Sequence, residues 1–134
     1  MNKHDLAPDV QRLIHSSIPS VEALEVLILL VSSDGEVWSP DEVAAALRPS
    51  SAAVEMVRPY LALLASDGLL KITTRQDGAH FGYAPTTPAM AEAVRQLVMA
   101  YHEQPVLLIR TVYAIADRQK LQAFVDAFKI RKDP

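Results

Sequence analysis

An apolar stretch near the C-terminus, residues 105–116, constrains the fold of this chain more than any other feature. Nine of its twelve residues are apolar, and on a helix they face nearly all directions. Such a helix must be buried on more than one side, and a chain of 134 residues has little interior for it. We therefore expect the stretch to pack with helices at 88–103 and 117–129 into the core of a two-fold homodimer. The residues assigned to this interface are Leu97, Tyr101, Leu108, Ile109, Val112, Phe124 and Phe128.

The composition is that of a globular protein and excludes several function classes. Half of the residues (50%) are hydrophobic and 22% are charged, which argues against intrinsic disorder. The chain has no cysteine, so disulfide scaffolds, thiol catalysis and cysteine zinc sites are excluded. The longest apolar run, Val26–Val31, is far shorter than the ~20 residues of a membrane span. No targeting segment is visible, and we expect a soluble cytoplasmic protein with no membrane partner.

The charge is distributed unevenly along the chain. The net charge is −3, which excludes a globally basic nucleic-acid binder but allows a local basic patch. Residues 1–49 hold 3 basic and 8 acidic residues, residues 50–104 hold 4 and 5, and residues 105–134 hold 6 and 3. We expect the basic C-terminal region either to contact nucleic acid or an acidic partner, or to be a solvated helix end, where cations interact favourably with the helix dipole.

Capping and turn signals divide the chain into helices with one β-hairpin. Ser39 and Glu42 form a capping box around Pro40, and Asp77-Gly78 is typical of a hairpin tip. Ser20 and Thr87 are predicted N-caps. The predicted helices span residues 8–17, 20–31, 40–47, 51–66, 88–103, 105–116 and 117–129, and the predicted strands span 36–38, 69–74 and 80–84.

Two motifs in this order carry a resemblance to a known family. Leu61-x-x-Leu64-x-x-x-Gly68-Leu69-Leu70 resembles the end of the recognition helix and the start of the wing in MarR-like bacterial regulators. Trp38 to Ala44 resembles the start of their second helix. The resemblance covers residues 20–85. It implies a mainly α fold with a small β-hairpin wing: a winged helix-turn-helix core at 20–86, an N-terminal arm at 1–19 and dimerising helices at 87–134.

The same resemblance implies a dimeric, DNA-binding transcriptional regulator, whose helix after the turn enters the major groove. The core stripe leaves Glu55, Pro59 and Ala62 facing outward, without the Arg, Lys, Asn or Gln that commonly read bases. This helix therefore reads DNA weakly, through phosphates and shape, or packs and reads nothing. Pro59 is expected to kink the helix or to begin a new segment. The candidate DNA-binding residues are Arg48, Ser50, Ser51, Glu55, Arg58, Lys71 and Arg75.

No motif in the sequence indicates catalysis. His102-Glu103 begins like a metalloprotease motif, but Val106 stands where the second histidine is needed. Nucleophile-elbow and phosphate-loop patterns are missing as well, so we expect no enzyme, no cofactor and no metal site. Two functions remain: a dimeric winged-helix regulator that binds duplex DNA, and a winged-helix interaction module that binds a protein partner and no DNA.

Overall fold

The computed structural model describes residues 6–33, 35–47 and 53–132. Within these ranges the chain is mainly helical, with one antiparallel pair of strands. The fold class is therefore a helical protein with a small β-hairpin, as the sequence predicts. In chain order the elements are α1 (Pro8–Ser17), α2 (Val21–Ser32), α3 (Pro40–Leu47), α4 (Ala53–Ser66), β1 (Leu70–Arg75), β2 (Gly78–Tyr83), α5 (Pro88–Glu103) and α6 (Pro105–Lys132).

Three helices begin at the predicted caps. The Ser20 hydroxyl accepts a hydrogen bond from the Ala23 amide at 3.1 Å, and the Thr87 hydroxyl accepts one from the Met90 amide at 3.1 Å. The capping box of α3 is complete: the Glu42 amide donates to the Ser39 hydroxyl at 3.1 Å, and the Ser39 amide donates to the Glu42 carboxylate at 2.9 Å. Because these bonds join neighbours in the chain, their residues alone were sufficient to predict them.

Helix α2 lies at the centre of the core. It contacts α3, α4, α6 and β2, and its buried side chains do not all lie on one face. This helix is therefore buried on more than one side. The buried residues of α2 are Ala23, Leu24, Val26, Leu27 and Leu30.

The β-hairpin is present as predicted, and its two-residue loop is Gln76-Asp77, one residue before the predicted Asp77-Gly78 pair. The register of β1 and β2 runs from Leu70 opposite Tyr83 to Arg75 opposite Gly78. Gly78 has φ of +120°, a conformation that glycine adopts without steric cost. The predicted strand at 36–38 is reduced to one bridge, in which the Trp38 and Phe81 backbones exchange hydrogen bonds of 2.8 and 2.7 Å.

Helix α4 is continuous through Pro59. The alternative in which a new segment begins at Arg58-Pro59 is therefore wrong. Proline cannot donate to the Glu55 carbonyl, but Glu55 and Pro59 are both exposed, so water can reach this carbonyl. Toward the core, Val57, Leu61 and Leu64 are buried.

The C-terminal region is also one helix where the sequence predicted two. Residues 105–116 and 117–129 belong to the single helix α6, so the predicted break near residue 117 is wrong. No proline or glycine occurs between 106 and 132 to end the first segment. The first half of α6 packs on α1, α2 and α5, where Leu108, Val112 and Ile115 are buried.

Candidate nucleic-acid interface

The outward face of α4 carries little charge. It lies opposite the buried Val57, Leu61 and Leu64 and includes one cation and one anion. The remaining side chains on it are small or apolar. The helical periodicity predicted the same face without the cation. The exposed residues of α4 are Glu55, Arg58, Pro59, Ala62 and Ser66.

The cation on this face is next to the anion. The Arg58 Nε atom lies 3.8 Å from the Glu55 Oε1 atom, and the two side chains are 53% and 83% exposed. Water screens a pair this exposed, so it contributes little to stability. Its effect on binding is larger, because a phosphate approaching Arg58 also meets the Glu55 carboxylate.

Arg58 also lines a groove of about 330 Å³ between α3, α4 and the tip of the hairpin. Asp41, from the first turn of α3, and Asp77, from the hairpin turn, line the same groove. With two carboxylates beside one guanidinium, the groove is electrostatically unfavourable for a phosphate.

The two cations of the hairpin lie on its other face. Side chains alternate along a strand, so Lys71 and Arg75 of β1 share a face, with Gly82 and Gly78 opposite them on β2. Ile72 lies on the opposite face, where it lines a shallow hollow with Ala62 of α4. The structure therefore does not bring Arg58 together with Lys71 and Arg75.

A buried histidine connects the hairpin to α3, and the sequence analysis did not single it out. His80 is 5% exposed. Its Nε2 atom lies 3.9 Å from the Glu42 carboxylate and 3.7 Å from the Asp77 carboxylate. The backbone hydrogen bond from Ser39 lowers the pKa of Glu42 below its usual value, with a smaller contribution from His80. His80 therefore lies between the hairpin turn and the α3 cap, and tertiary packing brings it next to Glu42.

Most of the predicted interface residues of the C-terminal region belong to the core of the single chain. Leu97, Leu108 and Val112 are fully buried. Tyr101 and Ile109 are half-buried. Phe124 and Phe128 are exposed, and their rings stack with centroids 6.5 Å apart. Of these seven residues, only Phe124 and Phe128 are therefore left open to a partner.

Three predicted DNA contacts, Arg48, Ser50 and Ser51, lie outside the described residues. The same holds for the side chains of the basic C-terminal tail, Lys129, Arg131 and Lys132. The interface can therefore be described only for α3, α4 and the hairpin.

A hollow beside α1 offers no converging set of free polar groups among the residues that line it. It has a volume of about 430 Å³ and lies between α1 and α5. The polar side chains that line it bind other side chains: Arg12 pairs with Asp9, and the Ser17 hydroxyl donates to Asp67 at 2.7 Å. Among the described residues, no group of three or more His, Asp or Glu side chains could hold a metal ion.

Comparisons with protein-family models, curated proteins and solved structures found no match for this chain. In the described part of the chain, no single helix has the length and apolar character to cross a membrane. Helices α1 and α2 have the required length and apolar character only when they are taken together, and the chain bends by 109° between them.

Proposed function

We propose that this protein is a dimeric winged-helix transcriptional regulator of the MarR-like bacterial kind, located in the cytoplasm. The observation that carries the proposal is the order α2, α3, α4, β1, β2, with Trp38 bridging Phe81 as a short third strand. This is the element order of a winged helix-turn-helix domain. In this proposal α4 is the recognition helix, and the β1–β2 hairpin is the wing.

The contacts to duplex DNA in this proposal are mainly to phosphate. Arg58 is the one cation on the outward face of α4, and Lys71 and Arg75 are exposed on the wing. Because Arg58 and the wing cations lie on different faces of the hairpin, they contact different phosphates. Apart from Arg58, the outward face of α4 has no side chain suited to bidentate base recognition, so sequence preference arises mainly from DNA shape.

Salt dependence tests this proposal directly. The full chain is titrated onto the duplex upstream of its own gene at about 50 and about 200 mM salt, with the affinity measured by fluorescence anisotropy. We expect affinity to fall as salt rises. In the Arg58→Gln/Arg75→Gln variant, the slope of log K against log salt decreases by about 1 for each phosphate that an arginine no longer neutralises.

The matched control is Arg95→Gln, which removes the same charge from α5, outside the candidate interface. We expect it to bind DNA as the wild type does. Equal binding by the wild type and the Arg58→Gln/Arg75→Gln variant would show that these arginines do not contact DNA.

A second function, a winged-helix module that binds a protein and no DNA, is favoured by one observation. Arg58 pairs with Glu55, and the groove that Arg58 lines also contains the carboxylates of Asp41 and Asp77. A surface of this charge suits a basic protein partner. Absence of duplex binding at the lower salt concentration would support this function and exclude the regulator.

A further inference from the structure

A second side of α6 is exposed from Val106 to Phe124, and its residues have the spacing of a coiled-coil seam. Its residues recur at alternating steps of four and three, which places them in one row on a helix. We call this row the α6 stripe. It consists of Val106, Arg110, Tyr113, Asp117, Lys120 and Phe124, all of which are exposed.

The α6 stripe lies away from the side of the helix that packs on the rest of the chain. At about 100° per residue, Ile115 points half a turn away from Phe124. Leu108, Val112 and Ile115 are buried against the protein, and beyond Ile115 no described side chain of α6 is buried. The second half of the helix therefore has almost no support from its own chain, although an isolated helix of this length is marginal in water.

The exposed apolar area is large enough for an interface between two copies. Val106 and Tyr113 are 62% and 59% exposed, and Leu121 and Phe124 are 63% and 69% exposed. With 150–250 Å² for a whole aromatic side chain, the apolar surface along this side of two copies is on the order of 1,000 Å². Specific interfaces begin at roughly this size.

The charges within the stripe select the direction of the second helix. In a parallel pair, Asp117 would face Asp117 and Lys120 would face Lys120. In an antiparallel pair with its axis between Arg118 and Gln119, Asp117 faces Lys120 of the second copy, and Tyr113 faces Phe124. Like charges in a seam oppose association, whereas opposite charges specify the register.

These two charges are available for such a pair. Among the described residues, neither Asp117 nor Lys120 forms an ion pair within the chain. The antiparallel direction also separates the two molecules in space. Each chain packs on the first half of its own α6, on the side away from the stripe, so the two globular parts lie at opposite ends of the helix pair.

We propose that a second copy of this chain docks antiparallel along the α6 stripe, with Asp117 facing Lys120 at the centre and Tyr113 facing Phe124 on each side. The proposal specifies the interface of the dimer in the proposed function. It rests on the proposed function only in assuming that the chain self-associates. It makes no use of DNA.

Charge exchange tests the register. Asp117→Lys places lysine against lysine, and Lys120→Asp places aspartate against aspartate. We expect each variant alone to self-associate at least about tenfold more weakly than the wild type. An equimolar mixture of the two variants restores association, because every central pair is again lysine with aspartate. The measurement is sedimentation equilibrium of the full chain without DNA.

Two further variants complete the design. Asp117→Lys/Lys120→Asp carries both exchanges in one chain and is expected to dimerise like the wild type. Asp126→Lys makes the same charge change on the other side of α6, where Asp126 accepts a hydrogen bond from Gln122 at 2.9 Å, and is expected to leave association unchanged. Circular dichroism establishes that all variants are equally folded.

Each outcome is decisive. A wild type that is monomeric at micromolar concentration, single variants that associate like the wild type, or a mixture that stays monomeric would overturn the proposal. Anisotropy with the duplex separates this result from the proposed function. If the protein binds DNA but does not form the charge-dependent dimer, the regulator is retained and the antiparallel pair is excluded. If it forms the dimer but does not bind DNA, the antiparallel pair is retained and the regulator is excluded.

Discussion

The two halves of α6 belong to one uninterrupted helix, but they are in different environments. In the first half, Leu108 and Val112 are fully buried between α1, α2 and α5. In the second half, Leu121 and Phe124 face outward. Both halves contain large apolar side chains, so hydrophobic composition does not explain the difference. What differs is the presence of neighbouring helices, and this is why an apolar pattern alone does not indicate burial.

The largest expected effect comes from replacing a leucine with alanine in each half of α6. Leu108→Ala removes a fully buried side chain and is expected to lower the free energy of unfolding by about 2–5 kcal/mol. Leu121→Ala, in dilute protein, is expected to change it by less than about 0.5 kcal/mol. Urea unfolding followed by the fluorescence of the single tryptophan, Trp38, measures both. Similar losses in the two variants would mean that the second half packs within the monomer.

A smaller effect is expected at the boundary between the halves. The Gln119 side chain donates a hydrogen bond to the His15 carbonyl at 2.8 Å, which ties α6 to the end of α1. Gln119→Ala is expected to cost about 0.5–1.5 kcal/mol of stability. The control is Gln122→Ala, which removes a hydrogen bond made only within α6, to Asp126. If the control costs as much, contact between the two helices does not extend to residue 119.

The smallest effect concerns pH and contrasts the second half of α6 with α5. On the exposed side of α5, Glu92 accepts hydrogen bonds from Arg95 and Gln96, which lower its pKa to about 2. A carboxyl with a lowered folded pKa adds stability above its unfolded value of 4.5, and this stability is lost as pH falls toward 2. Because the pair is exposed, the contribution is small.

The wild type is expected to lose stability between pH 5 and pH 2, and we expect the Glu92→Gln variant to lose less stability over the same range. Leu121→Ala, on the second half of α6, removes no ionisable group and serves as the control. Urea unfolding at a series of pH values measures the difference. Parallel curves for the wild type and Glu92→Gln would contradict the assignment of this ion pair.

Local features of the fold and of the site followed from the sequence. Ser39 and Glu42 bond to each other within one turn, and the loop Gln76-Asp77, followed by Gly78, turns the chain, so neighbouring residues contain the information. The sparse charge on the outward face of α4 was predictable from its apolar stripe. The burial of His80 and the separation of Arg58 from Lys71 and Arg75 were not, because they depend on how the hairpin packs on α3 and α4.

The amino-acid sequence was enough to locate the start of most helices and, to within one residue, the turn of the hairpin, and to show that the C-terminal helix carries apolar residues on more than one side. These properties depend on backbone hydrogen bonds and side-chain periodicity, which act over a few residues. Tertiary packing was needed to establish which apolar side of α6 is covered, that its two predicted segments are one helix, and which cations share a face. Those outcomes depend on contacts between elements distant in the chain, and no local pattern encodes the angle at which such elements meet.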